Sequence, residues 1–250
     1  MLPRKIIDWS WDSEKSQQSF IDCVGFNSAE ESEKQVAKIE QFLNLSPCRM
    51  IDIGCGTGRQ SIVFAAKGYT VTGIDIAGSF LEIAERTAKK QNLSVDFSLC
   101  RASKLQKKNA YDFALAYNHS IGFISDKELP EHFRKIHECL RPGGVFFYKT
   151  AGPMLTKAAA VPVKSWAETK KEFVLVDKKT ENNFRHEICI TINKENGEIT
   201  EYRERQRAFS FAEILSLLKN AGFQKIESYA DLDKSIADKD NFGIFVCHKK

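Results

Sequence analysis

The stretch from Ile51 to Gly58, IDIGCGTG, followed by an acid at Asp75, narrows the architectures open to this chain more than any other feature. Arg49-Met50-Ile51-Asp52-Ile53 is a short apolar run closed by glycines, which suits a buried parallel strand better than one arm of an alternating hairpin. Gly54, Gly56 and Gly58 let the backbone turn sharply and approach a ligand, because a residue without Cβ tolerates positive φ and leaves no side chain in the way. Helical spacing from Arg59 to Lys67, with Ile62, Ala65 and Ala66 on one face, makes the loop the opening of a helix. The free N–H groups and positive dipole end of that helix favour a negative group. Tyr69 to Asp75 (YTVTGID) is a β-branched second strand that ends in a carboxylate, completing a βαβ unit. An acid there, about twenty residues past the first glycine, is placed to accept both hydroxyls of a ribose. A nucleoside is therefore expected, against the plainer reading in which the glycines serve only a tight turn. A dinucleotide fingerprint requires G-x-G-x-x-G; here the third glycine comes one position early, at Gly58, and Arg59 stands in the dinucleotide place.

A chain of 250 residues, 42% hydrophobic, is enough for one domain with a substantial core and an appended subdomain. The net charge of +4 is spread over 37 basic and 33 acidic residues with no dense basic run interleaved with aromatics, so a nucleic-acid partner is not expected and a small molecule is. Short lysine clusters, such as Lys170-Lys171 and Lys178-Lys179, read as solvated surface. The seven cysteines are dispersed without a C-x-x-C pair, which argues against both a zinc site and a disulfide framework and for a reducing, cytoplasmic compartment. MLPRKIIDWSWDSEK lacks the apolar centre of a signal peptide and no stretch approaches a membrane span, so no membrane association is expected.

Residues 1–28 are weakly periodic and carry Trp9, Trp11, Phe20 and Phe26, either packed on the domain or forming a lid. Ser28 with Glu31 reads as a capping box before Val36, Ile39, Phe42 and Leu43. After Asp75 a helix carries Phe80, Leu81, Ile83, Ala84 and Ala88; Leu93 to Cys100 alternates as a third strand, and Ala110 to Ala116 is a fourth. Asp112, near the start of that strand, reads as structural. Asp126 to Leu140 is an amphipathic helix stopped by Arg141-Pro142-Gly143-Gly144, and Val145 to Tyr148 is a fifth strand. His132 and His137 are five apart, not the i, i+4 spacing that pairs ligands, so no metal is expected. Beyond a connector of small residues and prolines, Glu172 to Asp177, Phe184 to Asn193 and Ile199 to Gln206 are strand-like, and Asn196-Gly197 is a hairpin turn. Ser210 caps the last helix, followed by strands at Phe223–Ile226 and Gly243–Val246.

The glycine loop with its acid, YDFALAYNHSIGFISD from Tyr111 to Asp126, and LRPGGVFFYKT from Leu140 to Thr150 resemble a small-molecule subgroup of the class I S-adenosylmethionine-dependent methyltransferases. The resemblance covers residues 49–151 with ordered motifs and the C-terminal third more loosely. It implies an α/β, Rossmann-like, doubly wound seven-stranded sheet with an N-terminal helical lid and a small antiparallel β insertion. The corresponding divisions are a lid segment at 1–28, the cofactor-binding core at 29–151, a substrate-covering flap at 152–207, and the last helix and two strands of the sheet at 208–250.

The resemblance further implies that the cofactor, S-adenosylmethionine, leaving as S-adenosylhomocysteine, meets Asp52, Gly54, Cys55, Gly56 and Gly58, with its ribose on Asp75. Ile76 either lies beside the base or packs in the core. Relatives place an acid near the end of the third strand to meet the adenine amine; Arg101 occupies that place here, so the base would depend on backbone groups of Arg101 and Ala102. In open α/β sheets the ligand crevice lies outside the carboxyl ends of the strands, which puts Tyr117, Asn118 and His119 beside it. Asn118 is expected on the cofactor. Tyr117, His119, Trp11, Trp166 and Arg207, with Tyr202 and Arg205, are candidates for the acceptor; solvent-facing residues and surface ion pairs are the alternative for the last four. The pKa of an unperturbed imidazole near 6.5 lets His119 act either as general base or as a hydrogen-bonded positioner. The implied reaction is direct in-line transfer to nitrogen or oxygen of a small metabolite by a monomer or homodimer, which requires alignment and exclusion of water but no triad or metal. Two alternatives remain open: a nicotinamide-dependent oxidoreductase and a non-catalytic nucleoside-binding protein.

Overall fold

In a computed structural model of the chain, the residues described are 4–8, 10–14, 16–17, 29–117, 121–150, 163–239 and 241–250. In chain order the elements are β1 (Arg4–Asp8), α1 (Ala29–Leu43), β2 (Arg49–Ile53), α2 (Arg59–Ala66), β3 (Thr70–Asp75), α3 (Gly78–Lys90), β4 (Asp96–Leu99), β5 (Tyr111–Tyr117), α4 (Leu129–Cys139), β6 (Leu140–Lys149), β7 (Val163–Glu168), β8 (Glu172–Glu181), β9 (Phe184–Asn193), β10 (Ile199–Arg207), α5 (Phe211–Asn220), β11 (Lys225–Tyr229) and β12 (Ile244–His248). Short 3-10 turns lie at Ala102–Lys104 and Ile121–Phe123. Two compact units emerge: residues 27–151 with 210–250, and residues 152–209 with the N-terminal 1–26.

The larger unit holds a seven-stranded sheet of order β11-β12-β6-β5-β2-β3-β4. Neighbours from β6 through β4 pair in parallel, while β12 and β11 are antiparallel additions. The chain builds outward from β2 to β4 and then returns to β5 on the other side of β2. That reversal opens a crevice outside the carboxyl ends of the strands. The register keeps those ends level: Ile53 lies opposite Ile74, Asp75 opposite Leu99 and Tyr117 opposite Lys149.

Both faces of the sheet are covered, so its central strands are buried without a polar side, as in β2 and β5. Met50, Val71, Phe113, Leu115, Phe147, Ile244 and Val246 pack on Val36, Ile39 and Phe42 of α1 and Phe64 of α2. On the opposite face Phe146 and Tyr148 meet Phe133 of α4, and Phe245 stacks on Phe211 of α5. A buried side chain of this size is worth about 1.5–3 kcal/mol, against under about 1 kcal/mol for an exposed pair such as Lys34–Glu30. The two apolar layers therefore set where the strands lie. α5 opens with the expected capping box between Ser210 and Glu213; the one expected at Ser28 falls outside the described residues. α4 starts at Leu129, with Pro130 in its first turn, rather than at Asp126. Its end is tied down by Lys249, whose ammonium donates to the Leu140 and Glu138 carbonyls and to Asn109 Oδ1. The chain then becomes extended at once, so β6 takes in the Arg141–Gly144 segment read from sequence as a stop, with Gly143 at φ +80°.

The smaller unit holds a five-stranded sheet of order β1-β10-β9-β8-β7. The expected hairpin is present, turning at Gly197 with φ +72°. In the 1–28 segment expected as a helical lid, residues 4–8 form a strand parallel to β10, while 14, 16 and 17 are helical. The physical reason is the row of free N–H and C=O groups along the outer side of β10, which the β-branched Ile6-Ile7 run satisfies. Arg4 and Arg203 hold the carboxylate of Glu201, which is only 3% exposed, and Arg4 thereby fastens β1 to β10.

Candidate functional site

The glycine loop leaves β2 with the amides of Gly54 and Cys55 both donating to the Ile74 carbonyl, 2.8 and 3.0 Å away, which ties the turn to the adjacent strand. Gly54, Gly56 and Gly58 all have positive φ, 68°, 58° and 74°, a region costly for residues with Cβ. Gly56 and Gly58 differ in their surroundings. A Cβ on Gly56 would meet nothing nearer than Phe80, 4.0 Å away, so its outer face is clear for a ligand. A Cβ on Gly58 would lie 2.8 Å from the Phe97 ring and 2.9 Å from Ala84, so the structure gives Gly58 a packing role between helix and strand.

Asp75 ends β3 beside that loop. One carboxylate oxygen accepts from the Gly56 amide at 2.8 Å and the other from the Ala77 amide at 2.9 Å. Burial raises its pKa while the amides of Ala77, Gly56 and Ile76 work in the opposite direction. Each oxygen keeps a second lone pair, so the fixed carboxylate can still receive hydroxyl donors. Asp52 is 2% exposed and accepts from the Ser61 hydroxyl at 2.6 Å. Burial pushes it up to about 7, the Ser61 bond resists, and nearby Asp75 adds to the rise. Cys55 is buried too, and its pKa rises well above the ordinary thiol value through burial and the two acids. It stays a thiol, which removes it as a nucleophile and leaves it filling space against Gly73, whose Cβ would lie 3.1 Å from its sulfur.

The remaining described candidates of this unit ring the same edge. Ile76 is half-buried next to Asp75. Arg101 and Ala102 begin the turn after β4, and their carbonyls accept from Lys104 and Leu105. Tyr117 closes β5 with the Lys149 ammonium 4.8 Å from its ring centroid. Burial, with Glu31, raises Tyr117, and Arg59 counters it. Asn118 and His119 lie outside the described residues. Asp112 is on the opposite edge of the sheet, accepting from the Arg49 amide at 2.8 Å and pairing with Arg141 at 2.5 Å, a structural role. Among the described residues no group of His, Cys, Asp and Glu could hold a metal ion, and no helix is long and apolar enough to cross a membrane.

Trp11, Trp166 and Arg207 belong to the smaller unit. Trp11 is half-buried, its carbonyl receiving the Gln17 amide at 2.7 Å. Trp166, on β7 at the free edge, is 72% exposed, and Arg207 ends β10 over the Phe209 ring. Trp166 shares a row with Leu175, Ile190 and Glu201. Arg207 lies six residues beyond that row, roughly 20 Å along the strand and three strand spacings away, so these two candidates do not meet.

The model of the methyltransferase domain matches residues 50–144, spanning the loop, Asp75 and the strands that carry them. The chain carries a methyltransferase domain. The chain as a whole is 22% identical over 219 residues to a Geobacillus sp. (strain WCH70) protein named as a putative methyltransferase, covering 85% of this chain and 89% of that one. The CcbJ methyltransferase from Streptomyces caelestis has the same fold, with a TM-score of 0.76 at 19% identity over 96% of this chain and 99% of that one. So does S-adenosylmethionine-bound CalS10, an amino pentose methyltransferase from Micromonospora echinaspora: TM-score 0.67, 17% identity, 93% and 96% covered.

The site fits the S-adenosylmethionine expected from sequence: a clear glycine cradle next to a carboxylate held ready by two amides. Two residues of this edge escaped the sequence reading, Arg59 and Lys149. A signal existed for Arg59, since a cation in the first turn of a helix opposes the dipole and asks for a reason. Lys149 gave a weaker one, a lone cation ending a buried strand.

Proposed function

We propose that this methyltransferase transfers a methyl group in line to a nitrogen or oxygen of a small metabolite. S-adenosylmethionine, when bound, supplies a methyl already activated on a positively charged sulfur. The task of the chain is to hold, align and exclude water. Asp75 is the observation that carries the reading, because its carboxylate is fixed at the Gly56 and Ala77 amides beside Gly56, whose outer face is clear. In this reading Asp75 grips the ribose, Gly54 and Gly56 admit the cofactor backbone to backbone, Ile76 packs on the base, and the amides at Arg101 and Ala102 receive its edge. Asp52 supports the loop from within through Ser61. Asn118 meets the cofactor, and His119 either takes the proton of the acceptor or orients it. The amino pentose acted on by CalS10 supports including amino sugars among the first acceptors tried.

Isothermal titration calorimetry tests the core of this. Wild-type protein should bind S-adenosylmethionine, and Asp75→Ala should weaken binding by about 100-fold, the loss of two hydroxyl bonds to a charged group. A well-folded protein with no detectable binding would end the proposal. For the acceptor side, Trp11→Ala and Arg207→Ala should raise KM for the acceptor while leaving cofactor affinity unchanged, and Trp166→Ala, on the far edge of its sheet, should leave both unchanged. If His119 is the base, His119→Asn should lower kcat and remove the acidic limb of its pH profile.

A further inference from the structure

The five-stranded sheet ends in β1 on one side and β7 on the other, and an edge strand presents free N–H and C=O groups that a further strand can satisfy. The two edges are guarded differently. β1 carries Arg4, turned onto the buried Glu201 carboxylate, with Lys5 beside it. β7 carries Trp166, 72% exposed, and among the described residues no strand pairs with its outer side. The phase of the ladder says which backbone groups face outward. Thr169 continues the β7–β8 register opposite Glu172 and donates its amide to the Glu172 carbonyl at 2.8 Å. Bonded and non-bonded pairs alternate along an antiparallel ladder, so Ala167 and Ser165 bond to β8 while Lys164, Trp166 and Glu168 turn their N–H and C=O groups outward. The side chains of those three share one face of the strand.

Their order is self-complementary. A second copy of β7 laid antiparallel about a twofold axis at Trp166 sets Lys164 of each copy opposite Glu168 of the other and brings the two Trp166 side chains together. Every outward N–H and C=O of the three residues then meets a counterpart. Opposite charges and aromatic pairs directly across from one another are the contacts that stabilise a sheet. Moving the axis to Ser165 sets Lys164 against the other Trp166, and moving it to Ala167 sets Lys164 against the other Lys170, so either slip loses both charge pairs. Within one chain Lys164 reaches Asp177 at 3.8 Å and Glu168 receives Lys194 at 2.6 Å, yet both side chains stay more than half exposed and can take a second partner. We propose that the protein forms a symmetric homodimer through β7, which joins two five-stranded sheets edge to edge into one continuous sheet. Nothing in this contact depends on the cofactor or the acceptor.

Sedimentation equilibrium of the full chain tests it, run from about 1 µM to about 500 µM, the span in which so small a contact associates. Wild type should pass from monomer to dimer within that span. Lys164→Glu and Glu168→Lys should each weaken association at least about tenfold, because each sets two like-charge pairs across the axis. The double swap Lys164→Glu/Glu168→Lys should return it to within about threefold of wild type, which shows that the single variants fail through charge and not through folding. A wild-type monomer throughout, whether the edge stays free or takes a strand of another protein, would overturn the proposal. So would a dimer insensitive to either single variant, or a double swap that stays monomeric.

Discussion

At the level of single residues, the acids of the site respond to burial before anything else. Asp52 is held near 7 in the folded chain against an ordinary value of 3.8, so the folded state keeps a proton that the unfolded chain releases. Stability is therefore greatest below pH 4 for this group and declines as pH rises through the interval up to about 7, where the deficit levels off. Asp52→Asn retains an acceptor for Ser61 and cannot ionise, so chemical denaturation of this variant should show a flatter profile between pH 5 and 7 than wild type; identical profiles would mean that Asp52 ionises freely in the fold. The glycines give a second expectation. A Cβ on Gly73 would lie 2.7 Å from the Phe97 ring and 3.1 Å from the Cys55 sulfur, contacts that a packed site cannot absorb. Gly73→Ala should destabilise by about 1–3 kcal/mol, with the loss partly recovered in a Gly73→Ala/Phe97→Leu double variant; thermal melts of the two decide it. Sequence spacing placed Gly54, Gly56 and Asp75 correctly on one edge because glycine and acid positions in a βαβ unit are fixed by backbone geometry. It did not reveal that Gly58 is surrounded by Phe97 and Ala84, since that depends on a strand nearly forty residues away.

At the level of elements, local signals succeeded where one segment suffices to define the structure and failed where a partner decides it. Ser210 with Glu213, or Asn196-Gly197 between alternating runs, contains its whole explanation within a few residues. Arg4–Asp8 does not: five residues with one helical turn's worth of ambiguity become a strand only because Ile199–Arg203 offers an edge almost two hundred positions on. The same holds for β7, whose pairing with β8 turns the neighbourhood of Trp166 into an edge strand. The attachment of β1 by Arg4 to the buried Glu201 carboxylate is open to test. Arg4→Met removes one of the two guanidinium partners, both of them partly exposed, and leaves Arg203 in place, so global stability should fall by only about 1 kcal/mol. Hydrogen exchange should quicken in residues 4–8 while β9 keeps its protection. Equal acceleration across the five-stranded sheet would show that β1 is integral to it rather than an addition fastened by that ion pair.

For the molecule as a whole, every described residue assigned to the cofactor falls in 27–151, inside the unit that also owns all seven strands of the main sheet. The chain reaches this arrangement by a detour: it supplies a strand to the smaller sheet, builds the five parallel strands β2 to β6 with their helices, leaves for the rest of the smaller sheet, then returns with α5, β11 and β12. A ligand that binds only the folded state stabilises what it touches, by about 2.7 kcal/mol at a hundredfold excess over Kd. Saturating S-adenosylhomocysteine should thus slow exchange of the amides in β2, the glycine loop, α2 and β3 by up to about a hundredfold. Residues 163–207, lacking any cofactor-assigned position apart from the acceptor candidates, should respond little to the cofactor alone. An acceptor added to the S-adenosylhomocysteine complex is the condition under which Arg207 should gain protection if that residue serves it. Cofactor alone protecting both sheets equally would mean that the two units unfold as one, and the assignment of cofactor to one and acceptor to the other would lose its physical basis.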